Sequence, residues 1–337
     1  MSRQKQKSKE NVYRAAWNTL AYLNFLVMGV LAWRLGFWPL SVLCWIPLAY
    51  FSHALLMSFH EASHGNLGPG RLANEVRGTI LGWFSFVPLS AYRAVHFSHH
   101  AHLAEKQDAE MWPYGDVATP RWFRVTIAWA ELSCGLLVTP ILFLRGVLVN
   151  ENLSSRQKRR IAADYALLIG FWAAVLTTMG LVGLWAEFVM VFLVPAFLAG
   201  ILQSLRKFTE HLGLRGNTPE TAARTIDDTS PVGRFLSATM LNVTYHTAHH
   251  RDASLPYQEL PSATAAAVAA DPESNPIYSS YWRAFLDMVP ALIDPKVGGQ
   301  WERGRPEEKS APAPAPARQE ARFLRGSISH QPTHSLT

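Results

Sequence analysis

The chain has 337 residues, a formal net charge of +6, 49% hydrophobic residues and only 17% charged ones. So low a charged fraction argues against an ordinary soluble domain, and the basic residues form no stripe with interleaved aromatics of the kind that binds nucleic acid. The two cysteines, Cys44 and Cys134, lie in apolar runs and form no Cys-x-x-Cys pair, which excludes an iron–sulfur or rubredoxin-type site.

In chain order, residues 1–14 are polar and basic (Arg3, Lys5, Lys7, Lys9, Arg14) and read as a cytosolic N-terminal segment rather than a cleaved signal peptide. Residues 15–303 read as one membrane domain. Ala15 to about Leu35 and Trp38 to Phe59 each reach the ~20 residues needed to cross hydrocarbon. A short, nearly uncharged turn at Gly36-Phe37-Trp38-Pro39 makes them a hairpin. Further apolar runs follow at 76–92, 122–149, 161–179 and 184–205. The segment from Tyr278 to Met288 is expected on the membrane surface. Residues 304–337 are rich in Pro and Ala, with an alternating Ala-Pro run from Ala311, and are expected to be disordered. His330 and His334 in this tail are expected to be solvated.

Charge orders these runs. Arg156-Gln-Lys158-Arg159-Arg160 and Arg206-Lys207 belong on the cytoplasmic side by the positive-inside rule, whereas the uncharged Gly180–Leu184 connection belongs outside. The arrangement that satisfies both is all-α and integral to the membrane. Two transmembrane hairpins are accompanied by interfacial or re-entrant helices from 76–92 and 122–149, where Pro88 and Pro140 interrupt straight helices. Every histidine cluster then emerges on one face, the cytoplasmic one.

Those clusters carry the chemistry. His60 and His64 stand four apart, while His96, His99 and His100, and again His246, His249 and His250, occupy i, i+3 and i+4. Such positions share a helical face, so each cluster is expected to point its imidazoles at a common point, with room for two metal ions. His211, in Thr-Glu-His-Leu, is a ninth candidate. Glu61, Asp108, Glu110, Glu210 and Asn242 are expected to orient the imidazoles from behind. Asn242, four residues before His246, is also placed to hold a metal-bound water. His102 falls off the face of its cluster and reads as an outer or substrate-side group. His53 reads as a hydrogen-bonded core histidine.

Imidazole suits several metals. A membrane-embedded substrate is an alkyl chain, whose available chemistry is C–H oxidation with a redox metal and dioxygen, and this favours iron. His60-Glu61-Ala-Ser-His64 also fits the His-Glu-x-x-His pattern of zinc proteases, but such a protease needs one more ligand, not two further triple-histidine clusters. A metal transporter or haem anchor would bury paired ligands deep within spans, whereas these lie just past span ends.

The three boxes HEASH (60–64), HFSHH (96–100) and HTAHH (246–250) resemble those of the membrane fatty acid desaturase family. The resemblance runs from about Leu20 to Pro290 and includes the acidic stretch after box two and the Leu255–Pro261 flank of box three. It implies two transmembrane hairpins capped by a cytosolic domain with two non-haem irons, O2 as co-substrate, and His60, His64, His96, His99, His100, His211, His246, His249 and His250 as ligands. It implies an acyl-lipid, acyl-CoA or acyl-carrier substrate. With no His-Pro-Gly-Gly haem motif in the sequence, it also implies a separate ferredoxin-like or cytochrome b5-like electron donor. Box three begins with His246 rather than Gln, unlike front-end desaturases. Hydroxylases and carotenoid ketolases share these boxes and remain alternatives. The Gly-, Ala- and Arg-rich composition points to a bacterial inner membrane.

Overall fold

In the computed structural model, residues 3–302 are described, with side chains from residue 13 onward; the expected disordered tail lies outside them. Helix α1 (Arg3–Arg34) runs unbroken from the basic N-terminus into the first apolar run. Gly36, with φ +77°, turns the chain into α2 (Trp38–Leu43) and α3 (Trp45–His64). The second apolar run is therefore two helices joined at Cys44, and it extends far enough to carry HEASH on its last turn. Then come α4 (Arg71–Phe84), α5 (Leu89–Ala101), α6 (Arg121–Val149) and α7 (Ser155–Val182). A short α8 (Trp185–Glu187) and a π-helical turn (Phe188–Leu193) lead into α9 (Val194–His211). The remainder is α10 (Pro219–Ala222), α11 (Pro231–Thr239), α12 (His246–Arg251), α13 (Leu260–Ala270) and α14 (Tyr281–Met288). Two residue-pair strands, β1 (Thr225–Ile226) and β2 (Ile277–Tyr278), pair in parallel.

Among the described residues, five helical segments are long and apolar enough to cross a membrane: Tyr13–Arg34, Trp38–His64, Arg121–Val149, Ser155–Val182 and Trp185–His211. Only 6% of the apolar window of Ser155–Val182 is buried against protein. Leu167, Ile169 and Leu181 are open on its surface, as expected of a helix solvated by lipid. Cys44, Leu48 and Val191 form a small core beneath α1, and Arg34 pairs with Glu187 at 2.5 Å, tying the turns at 35–37 and 183–184 to one end. At the other end, Asn18 donates to the Thr239 carbonyl and Arg160 pairs with Glu75. Helices α3 and α9 finish there, each on a histidine.

Two of the expected irregular segments have a clear geometry. The 76–92 run is split by the 85–88 turn, with Pro88 at the N-cap of α5. Gly78 abuts Ala62 and Gly82 abuts Phe59, so α4 descends beside α3 before α5 returns. Helix α6 is folded back on itself. Trp112 touches Phe123 at 5.7 Å between ring centroids, and the Arg145 guanidinium lies 3.3 Å from the same ring. In a straight helix, positions 123 and 145 stand about 33 Å apart. The break is at Cys134 (φ −135°, ψ 34°), not at Pro140, which stays inside the second arm. Each arm falls short of the ~20 residues of a crossing, although α6 as a whole meets that length. In the segment 278–288, α14 packs on α9 and buries Ala284 and Met288, while Trp282 and Leu286 face outward.

Candidate metal centre

Four helix ends deliver the nine histidines. The last turn of α3 carries His60 and His64 and stops at Gly65, whose left-handed φ of +80° lets its N–H cap the Ala62 carbonyl. Helix α5 carries His96, His99 and His100, α9 ends on His211, and the short α12 opens on His246 and carries His249 and His250. The structure brings all nine together, and sorts them into two groups. His60, His64, His96, His100 and His249 form one; His99, His211, His250 and His246 form the other, with the Glu210 carboxylate beside His211 and His246. The groups touch through His100 and His250, whose rings lie 4.5 Å apart.

Each triple box therefore straddles both groups, instead of aiming at one point. His96 and His100 face one way and His99 the other; His246 and His250 face one way and His249 the other. The i, i+4 pairs stay together and the i+3 residue, turned aside by the helix, serves the neighbouring group.

Four of the Nδ1 atoms have acceptors: His96 reaches Glu110 at 2.7 Å, His99 reaches Asp108 at 2.8 Å, His60 reaches Glu61 at 3.1 Å and His211 reaches the Ala222 carbonyl at 2.8 Å, whereas those of His246 and His250 are buried with no hydrogen-bond partner among the described residues. With the proton fixed on Nδ1, the Nε2 lone pair points inward. Inward nitrogens crowd together, with His64 and His96 Nε2 atoms 3.0 Å apart and those of His211 and His246 2.8 Å apart. The Nε2 atoms of His60 and His249 are buried with no hydrogen-bond partner among the described residues. Buried acceptors left unpaired are costly. A divalent metal with a preference for imidazole would satisfy them, so the donor set fits metal ions.

Electrostatics point the same way. Burial first, then repulsion from neighbouring imidazoles, holds His100, His246, His249 and His250 well below the ordinary histidine range. They are neutral at pH 7 and able to ligate. Burial alone would raise Glu110, but His96 beside it more than offsets this and holds the carboxyl well below its usual range. Burial would lower His99, yet Asp108 raises it.

Of the expected outer residues, Glu61, Asp108 and Glu110 stand behind imidazoles as described. Glu210 instead sits on the inner side, its Oε2 3.5 Å from His246 Nε2, and pairs with Arg206. Asn242 does not share a helical face with His246. It lies in the turn before α12 with φ +52°, and its amide donates to the Tyr257 carbonyl at 3.1 Å. His102 is partly exposed and faces Glu105. His53 is buried as expected, but its Nε2 has no hydrogen-bond partner among the described residues. Arg206 and Lys207, read from the sequence as a cytoplasmic basic flank, are buried; Lys207 pairs with Glu131, which also accepts from Tyr114. Neither Ala222 as an acceptor nor Tyr92, which stacks on His96 with ring centroids 5.0 Å apart, was evident from the sequence.

A cavity of about 650 Å³ reaches this centre. Its walls are mostly apolar, including Leu20, Leu56, Phe59, Leu81, Phe143 and Ala199. Tyr92 and Glu110, both against His96, form part of the lining.

Residues 36–282 match the family model described as fatty acid desaturase, and the chain belongs to that family. Over 122 residues it is 30% identical to a beta-carotene ketolase of Paracoccus sp. (strain PC1). The match covers 34% of this chain and spans about half (47%) of that relative.

Proposed function

We propose that this desaturase-family membrane protein is an O2-dependent di-iron oxidoreductase that introduces a double bond into a fatty acyl chain. The observation that carries the proposal is the seat of nine imidazoles, in two adjoining groups, beside a mostly apolar cavity of about 650 Å³. His60, His64, His96, His100 and His249 would hold one iron, and His99, His211, His246 and His250 the other. Bound iron supplies dioxygen activation and the oxidising power to break an unactivated C–H bond.

The chain's own residues do the rest. Glu61, Asp108, Glu110 and the Ala222 carbonyl hold imidazole protons on the outer nitrogens. Tyr92 fixes the face of His96. The cavity walls keep an alkyl chain in register and exclude water. Removing two hydrogens from neighbouring methylenes, with one O2 and two electrons and two protons from a donor, yields the alkene and two waters. A separate ferredoxin-like or b5-like protein would supply those electrons. Two crossing hairpins with the histidines on the cytoplasmic side of a bacterial inner membrane fit the placement of Arg156, Lys158, Arg159 and Arg160 around the start of α7. Residues 15–303 would be the catalytic unit and 304–337 an appended tail.

A second reading, favoured by the similarity to a beta-carotene ketolase, places oxygen on the substrate chain instead of a double bond. Lipid mass spectrometry of expressing cells, with iron analysis of the purified protein, decides between them. The desaturase reading expects close to two irons per chain and a product lacking two hydrogens. A product that has gained oxygen replaces it with the ketolase or hydroxylase reading, and zinc in place of iron ends both.

A further inference from the structure

Among the described residues, three charged side chains line the cavity: Arg77, Glu110 and Lys207. Two are neutralised, Glu110 by His96 and Lys207 by Glu131. Arg77 is different. It projects from α4 with its guanidinium against Gly68, in the loop that follows the histidine end of α3. Its Nη1 is buried and has no hydrogen-bond partner among the described residues. The neighbouring cation on α5, Arg93, is paired with Glu75 and bonded to the Ser63 and Ala62 carbonyls. An unsatisfied guanidinium N–H at the wall of an apolar cavity is costly unless something supplies an acceptor.

We infer that Arg77 receives the polar end of the substrate, and that the cavity takes a single-chain amphiphile ending in an oxyanion or ester carbonyl. This rests on the oxidoreductase reading and deepens it: the occupant is an acyl chain with an anionic or carbonyl head, not a hydrocarbon without one. With the head against Arg77 at the α3–α4 loop, the chain threads past Tyr92 and Glu110, and so past His96. Arginine suits this role because its fixed, permanently charged fork binds carboxylate and phosphate oxygens in a defined orientation.

The test uses the iron-loaded protein in lipid nanodiscs with stearate spin-labelled near its methyl end. The same labelled chain ending in a plain methyl group is the neutral comparison. Electron spin resonance reads the immobilised fraction. Wild type is expected to hold the carboxylate probe roughly tenfold or more tightly than the neutral one, the worth of one charge-assisted hydrogen bond. Arg77→Gln should erase that preference and Arg77→Lys should retain part of it. Ala199→Phe, or Leu56→Trp should the first lose its iron, fills the cavity and should release both probes. Equal binding of the carboxylate by wild type and Arg77→Gln overturns the inference. Loss in Arg77→Gln with no effect of either cavity-filling variant also overturns it, since the oxyanion bound would then be a lipid headgroup at the bilayer surface. Wild-type protein that carries its irons, immobilises neither acyl probe and oxidises a carotene would instead overturn the acyl reading itself.

Discussion

Gly135 and Gly200 meet backbone to backbone at the elbow of α6. A Cβ on Gly135 would overlap the Gly200 carbonyl, and a Cβ on Gly200 would overlap the Leu136 backbone nitrogen. Neither obstacle is a flexible side chain, so neither can yield. This contact seats the folded-back helix on α9 and shapes one wall of the cavity, which both glycines line. Gly200→Ala is therefore expected to cost about 1–3 kcal/mol through overpacking. Gly170, on α7, has nothing within 4 Å of its missing Cβ. Gly170→Ala should be neutral or slightly stabilising, because alanine is the better helix former. Thermal unfolding in detergent compares the two; equal midpoints would show that the α6–α9 contact is looser than described.

Asp108 holds more than one group. It accepts from His99 Nδ1 and from the backbone N–H of Ala104, Glu110 and Met111. It thus fixes both an imidazole and the loop that carries Glu110. Asp108→Asn keeps the shape but loses the charge, and is expected to weaken metal binding by roughly 10- to 100-fold. Glu105, which faces the partly exposed His102, is the control, and Glu105→Gln should leave affinity unchanged. Iron retained against a graded series of chelator concentrations measures both.

Lys207 and Glu131 form a buried pair across α6 and α9. Removing one partner strands the other, which typically costs about 3–5 kcal/mol. Replacing both with apolar residues of similar size strands neither charge, though the buried Tyr114 hydroxyl loses its acceptor. Lys207→Met and Glu131→Leu should each destabilise strongly, and the double variant should recover part of the loss. A double variant as unstable as the sum of the singles would mean that the two charges are not coupled and that the ion pair is not formed in the folded protein.

These contrasts also explain what the sequence could reveal. The boxes were legible because ligation from a helix demands i, i+3 and i+4 spacing, and that spacing survives in any fold. Their division between two groups was not, since it depends on how α5 and α12 face α3 and α9. The Arg206-Lys207 pair closes an apolar run as a membrane flank would. Glu210 lies one helical turn on and could have been seen, but Glu131 is 76 positions away in sequence. Asn242 was misplaced because Leu241 and Asn242 both take φ near +52°, breaking the helix that the spacing to His246 suggested. The elbow of α6 fell at Cys134 rather than at Pro140, where Gly135 allows the closest approach to α9.

Glu75 makes acid sensitivity testable away from the metal centre. It bridges Arg93 on α5 and Arg160 on α7, and so ties the α4–α5 pair to the start of the next long helix. Burial by itself would raise its carboxyl; the hydrogen bond and charge of Arg93, then Arg160, outweigh burial and hold it below the usual range. A carboxyl depressed in the folded state stabilises above its unfolded pKa of about 4.3, and that stability is lost as pH falls through the folded value. Unfolding midpoints of the wild type should therefore hold steady from neutral pH down to about pH 5 with respect to this group, then drop below it. Glu75→Gln should start lower at neutral pH, because Arg93 loses its ion-pair partner, and should show a shallower acid decline. The gap between the two proteins is expected to narrow as pH falls. A gap that stays constant or widens toward acid would mean that the Glu75 charge contributes nothing to holding these helices together.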